Sequence, residues 1–221
     1  MMSIARYSGW RRALGTLSTV RLAMNDRSPS QRFVIWVDAV GGFLVCVGDQ
    51  VTFGQAVAGA RVDVPLVADV LRHHATIRRD AEGYVVDPSG ETWIDNRRLE
   101  SAAPLADTAA LRLGPVTLGF RRPHPLSATA RLDLASTHRL RPSCDGVLLL
   151  AQSCVLGAKP TSHIVCPDWP YEVVLFYSGG KLSCHVPGEF EIDGRPHTDC
   201  GRLGPNSRVV GDGLSFSLEP V

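Results

Sequence analysis

Apolar and polar residues alternate, or run briefly apolar, over short stretches along most of the chain. RFVIWVD, FLVCVG, QVTFG, RVDVPLV, ATIRRD, GYVVD, TWID, LRLG and VTLGF are rich in β-branched and aromatic residues, and Gly, Asp, Asn or Pro separates them. A period of two sends successive side chains to opposite faces of a strand. Few segments have the period and length of a helix, so the pattern predicts an all-β fold, a β-sandwich rather than an α/β sheet. Gly41-Gly42, Gly179-Gly180 and Gly211-Asp212-Gly213 suit hairpin turns, because glycine tolerates positive φ.

The order of strand-like runs repeats. RFVIWVD followed by GGFLVCVGDQVTFGQ corresponds to ARLDLAS followed by DGVLLLAQSCVLGA; ADVLRHHATI corresponds to PDWPYEVVLF; ETWIDNR corresponds to EFEIDGR; LRLGPVTLGFRRP corresponds to RVVGDGLSFSLEP. The offset stays near about one hundred residues, the signature of an internal duplication of one β-domain. The junction falls in RRPHPLSATAR, where Pro123 and Pro125 suit a short, stiff linker. The expected organisation is a tail at 1–27, one sandwich at 28–123 and a second at 124–221.

Composition narrows the function classes. The 221 residues are 44% hydrophobic and 20% charged with a formal net charge of +1, which gives no basic field for nucleic acid. No stretch approaches the eighteen or so apolar residues of a membrane span. The expectation is a soluble, cytoplasmic protein without nucleic-acid or membrane partners. Only Lys159 and Lys181 are lysines among the 23 basic residues, and arginine favours bidentate recognition of oxyanions. The first stretch has Arg6, Arg11, Arg12 and Arg21 without an uninterrupted apolar segment, so it does not read as a secretory signal. A flexible tail, an over-extended start before Met24 and a short amphipathic helix stay open. Cys46, Cys144, Cys154, Cys166, Cys184 and Cys200 include no CxxC pair. They read as reduced residues, several of them apolar fillers in strands, and no metal is expected.

VLRHHA places Arg72, His73 and His74 together, which raises a metal site, a catalytic base or a binding surface. Adjacent residues on an extended segment face opposite ways, so the two histidines do not converge on one ion. From Gly54 the chain reads FGQ, RVDVPL, VLRHHA, a strand, YVVD, ETWIDNRRL, a polar segment and LRLGPVTLGF. That order resembles the forkhead-associated (FHA) domain, a phosphothreonine-peptide reader built as a two-sheet sandwich, over about residues 33 to 122. The family pattern runs Gly-Arg, a short strand, Ser-Arg-x-His, a strand, then Asn-Gly-Thr and Asn-Gly.

The resemblance implies that Arg72 and His74 stand at the Arg and His of Ser-Arg-x-His, with His74 a structural residue that orders the binding loops. Leu71 stands at the Ser, Gly54-Gln55 at Gly-Arg, Gly90-Glu91-Thr92 at Asn-Gly-Thr and Asp95-Asn96 at the later Asn-Gly. The phosphopeptide-binding residues implied are therefore Arg72, Gln55, Leu71 and Thr92. A guanidinium holding a phosphate through charge-assisted bonds gains about 1.5 to 3 kcal/mol per bond; the competing role for Arg72 is an ion pair with Asp69 or Asp63. Glu91 would repel a phosphate at close range. In the second half Pro170, Tyr171, Glu172 and Val173 stand where the first has Leu71 to His74, and Ala158 follows Gly157, so that copy is degenerate. Trp169 there reads as packing in preference to an exposed aromatic patch.

No phosphate loop, HExxH or GxSxG motif occurs, and carboxylates such as Asp38, Asp87, Asp95 and Asp193 fall beside turns, where Asp bonds local backbone. No catalytic residue and no cofactor is expected. The chain reads as a non-catalytic protein-interaction or scaffold protein of two FHA-like domains with an incomplete phosphate-binding motif. The alternative is phosphothreonine-peptide binding by the first domain in kinase signalling. Either way the partner is a protein, threonine-phosphorylated in the alternative.

Overall fold

The computed structural model describes residues 31–221, which are all-β. The segment 1–27, with its three candidate roles, lies outside the described residues. No helix among the described residues is long and apolar enough to cross a membrane.

The first half supplies β1 (Gln31–Val37), β2 (Gly41–Val47), β3 (Gln50–Gln55), β4 (Val64–Val67), β5 (Ala75–Arg79), β6 (Tyr84–Pro88), β7 (Thr92–Ile94), β8 (Arg97–Arg98), β9 (Ala103–Pro104), β10 (Ala110–Leu113) and β11 (Val116–Arg121). The second supplies β12 (Ala130–Leu134), β13 (Arg139–Leu140), β14 (Gly146–Leu150), β15 (Ser153–Gly157), β16 (Ile164–Val165), β17 (Val173–Ser178), β18 (Lys181–Ile192), β19 (Arg195–Leu203), β20 (Arg208–Gly211) and β21 (Leu214–Pro220).

Six strands form one sheet in the order β13-β4-β3-β5-β6-β9. The others form a continuous ladder, β16-β15-β17-β18-β20-β21-β1-β2-β14-β12-β11-β10-β7-β8, with β19 alongside β18. The long β18 carries a register shift between His185 and Glu189. Its first part pairs with β17 and its last part with β20, so the ladder wraps round a core of its own.

Two hydrophobic cores result, and each draws strands from both halves of the chain. The first lies between the six-stranded sheet and the β14-β12-β11-β10 end of the ladder, and includes Phe53, Leu66, Ile77, Leu111, Phe120, Leu132 and Leu149. The second includes Ile164, Trp169, Leu175, Phe190, Phe216 and, from the first half, Phe33, Ile35, Phe43 and Val45. Strand β1 pairs with β21 at the far end of the chain, while β12 pairs with β11. The two halves thus exchange their opening strands. The seam is β2 against β14 in parallel, Leu44 opposite Val147 and Val45 opposite Leu148. Alternation on these strands feeds both cores: Leu44, Cys46, Val147 and Leu149 face the first, and Phe43, Val45, Leu148 and Leu150 the second. Every residue of GVLLL is accordingly buried, as in strands covered on both faces.

Local geometry recurs in both halves. Asp95 and Asp193 each open a turn at positive φ (48° and 54°) and accept the backbone N–H of Ala110 and Arg208, both at 2.8 Å. Asp63 Oδ2 accepts the Thr52 N–H, and His163 Nδ1 accepts the Val155 N–H. Arg32 donates to the Val62 and Asp63 carbonyls, and Arg131 to that of His163, tying the exchanged strands down.

The candidate phosphopeptide site

Strands β3 and β4 run parallel and β5 runs antiparallel to β3, so the end of β3, the 68–74 loop and the 89–91 loop meet at one end of the first unit. The 68–74 loop crosses over β3 and is fastened to it: the Gln55 N–H donates to the Leu71 carbonyl (3.0 Å) and the His74 N–H to that of Phe53 (2.8 Å). Only glycine fits beneath. A Cβ on Gly54 would stand 2.0 Å from the Arg72 carbonyl oxygen, far inside van der Waals contact.

His74 is buried and joins the two loops. Its Nδ1 accepts the Leu71 N–H at 3.1 Å, which leaves the ring proton on Nε2, and Nε2 donates to the Glu91 carbonyl at 2.9 Å. The His74 carbonyl accepts both the Ser89 and Gly90 N–H groups at 2.8 Å. Gly90 lies flat against the ring, where a Cβ would come within 2.6 Å of it. His73 points away, exposed, with its Nε2 2.9 Å from Thr76 Oγ1.

Arg72 is exposed. Among the described residues its guanidinium forms no ion pair with Asp69, Asp63 or any other carboxylate. The Asp63 carboxylate is turned inward to the Thr52 N–H and hydroxyl. Leu71 is half exposed (52%). Gln55 is partly buried and, level with the buried Leu66, lies on the core-facing side of β3. Thr92 is fully buried and donates its hydroxyl to the Gly90 carbonyl at 3.1 Å, so it supports the loop from below. Asp69 lies exposed on the 68–74 loop. Glu91, on the 89–91 loop, accepts the Trp93 indole N–H at 3.0 Å, and Arg112 covers the same indole at 4.4 Å. That bond draws Glu91 toward β7. A recess of about 350 Å³ opens beside it, lined by Ser89, Gly90, Glu91, Arg98 and Glu100.

The corresponding end of the second unit has none of these groups. Phe53 is level with Ala75 in the first unit and Leu156 with Val173 in the second. The register therefore sets Glu172 at the place of His74 and Pro170 at that of Arg72, one residue from the correspondence that sequence order alone gives. The cause is a shorter path from register-equivalent positions: eleven residues from Val64 to Ala75 but nine from Ile164 to Val173. Glu172 pairs with Lys159 at 3.1 Å, and Trp169 packs its ring 6.4 Å from that of Phe216 within the core.

Among the described residues no group of three or more His, Cys, Asp or Glu side chains is placed to hold a metal ion. Cys46, Cys144, Cys154, Cys166 and Cys184 are buried and Cys200 is exposed, all as free thiols. Burial pushes the Cys154 and Cys166 thiols up to about 12, so they stay protonated.

Residues 51–114 match the family model described as FHA domain. The stretch runs from β3 through the turn after β10 and contains the whole loop system around His74. The chain thus carries an FHA domain there, and domains of this kind are protein-interaction modules that bind phosphopeptides and are generally non-catalytic. No curated protein matches the chain.

Proposed function

We propose that this protein is a non-catalytic, cytoplasmic interaction protein of two FHA-like units, arisen by duplication with exchange of their opening strands, and that the first unit reads threonine-phosphorylated segments of partner proteins. Arg72 carries this reading: an exposed guanidinium without a carboxylate partner among the described residues, on a loop held by His74. Such a group offers a phosphate two parallel charge-assisted bonds without first breaking an ion pair. The hydrogen bond that Glu91 accepts from Trp93 eases the repulsion a carboxylate would exert on the ligand. Gln55 and Leu71 favour a second reading, a scaffold whose partners bind regardless of phosphorylation, since neither side chain brings charge to the phosphate. The second unit, with Pro170 and Glu172, serves packing or a separate contact.

The test is a titration of the protein with a degenerate phosphothreonine peptide library and its unphosphorylated twin, for wild type and Arg72→Ala, at two salt concentrations. Binding that requires phosphate and Arg72 and weakens with salt supports the first reading. Equal binding of both libraries, unchanged by Arg72→Ala, supports the scaffold and overturns phosphate recognition.

A further inference from the structure

The strand exchange does more than close the first sandwich. Between β12 and β14 the chain of the second half adds β13 to the edge of the six-stranded sheet, Arg139 opposite Val67 and Leu140 opposite Leu66. Leu140 and Leu66 are both buried in the first core. By alternation Arg139 and Val67 face outward together, and both are exposed. This is the face on which the 68–74 loop lies, because Gly54, where the Arg72 carbonyl presses, is level with Pro65 and alternates with the buried Phe53.

Register gives the spacing. Val67 is one residue beyond Leu66, which is level with Gln55; Arg139 is therefore two strands across from Gly54 and two residues nearer the loop end. At about 4.8 Å per strand and 3.3 Å per residue, the separation is about 12 Å. Two arginine side chains extended toward one another are long enough to reach a ligand held across that span. Among the described residues Arg139, like Arg72, makes no ion pair. Around them lie three exposed apolar side chains, Val57 (37%), Val67 (50%) and Leu71 (52%). Asp69, exposed on the same loop, is the carboxylate to set against them.

We infer that Arg139, delivered by the second half, is the second guanidinium of the first unit's site, and that the site takes a phosphopeptide bearing an apolar side chain beside the phosphate. A dianionic phosphate is matched by two cations, and Gln55, turned to the core side of β3, does not supply the second. The apolar neighbour would cover Val57, Val67 and Leu71, a patch otherwise left in water. The inference rests on the phosphothreonine reading of Arg72, and it makes the site a joint product of both halves.

The experiment compares wild type, Arg72→Ala, Arg139→Ala, Arg139→Lys and, as a control in the second unit, Arg202→Ala, each titrated with the phosphothreonine library and its unphosphorylated twin. Thermal melts establish that each variant is folded; Arg139 is exposed and makes no ion pair among the described residues, so its loss should leave the melt unchanged. The expected result is phosphate-dependent binding by wild type, weakened roughly tenfold or more by Arg139→Ala, partly restored in Arg139→Lys and unaffected by Arg202→Ala. Apolar residues should be enriched next to phosphothreonine among the bound peptides. If Arg72→Ala abolishes binding while Arg139→Ala matches wild type within twofold, Arg139 is excluded and the Arg72 reading survives. If wild type shows no preference for phosphate, both fall together.

Discussion

Replacing His74 by alanine removes the side chain that, among the described residues, bonds to both loops of the candidate site. The Leu71 N–H loses its partner, and the Glu91 carbonyl keeps only the bond from the Gly114 N–H; a polar group left unsatisfied costs about 1 to 3 kcal/mol and a lost bond about 0.5 to 1.5 kcal/mol. The vacated ring space beside Gly90 adds a cavity penalty, offset where water enters from the loop side. The expected loss is about 2 to 5 kcal/mol in urea unfolding, a large part of a typical domain's stability. His74→Phe separates the contributions: the phenyl fills the space but bonds to neither loop, so most of the loss should remain. Hydrogen exchange should report the lesion locally, with protection lost at Gln55 and Leu71 before that of β10 and β11. A loss below about 0.5 kcal/mol in His74→Ala, or full stability in His74→Phe, would refute the view that these two bonds hold the loops.

Burial, and after it the charge of nearby His124, lower the pKa of His163 to about 4. The unfolded chain then takes up its proton first, so stability should fall by about 3 kcal/mol as pH drops from about 6.5 to 4. His163→Asn, whose side-chain oxygen can still accept the Val155 N–H, should flatten that slope in pH-dependent urea melts; an unaltered slope counts against this assignment. Of the six cysteines only Cys200 is exposed, so a thiol reagent should label one cysteine quickly in the native protein and the other five only on unfolding, whereas several fast thiols would contradict the burial described. Fragments 31–123 and 124–221, expressed separately, should each fail to give a cooperatively unfolding monomer, because each core needs strands of the other half. Mixed, they should assemble one to one; a stable monomer from either fragment would argue against the exchange.

The strands and their order were legible because alternation and turn residues are local signals. The FHA-like loop system was legible from Gly54, Arg72, His74 and the Asp95-Asn96 turn, each set by short-range geometry. Which sandwich a strand completes was not, since β1 and β12 offer the same alternating pattern to either partner. A trace of the answer was present all the same: FLVCV and GVLLL are continuously apolar, which marks strands covered on both faces. The correspondence of Arg72 with Pro170 was missed because the path from Ile164 to Val173 is two residues shorter than that from Val64 to Ala75, and sequence order was anchored at Asp168, inside that stretch. Arg139 gave no signal, as its place beside Val67 comes from a pairing between distant parts of the chain.

The most direct measurement of the central claim is a nitrogen-15 NMR titration of the intact protein with phosphothreonine peptides and their unphosphorylated twins. The account predicts phosphate-dependent shifts confined to residues 55–59, 68–74, 89–91 and 135–139, with the Arg72 side-chain N–H signal moving most. Shifts concentrated in the second unit, or identical for both peptides, would contradict it.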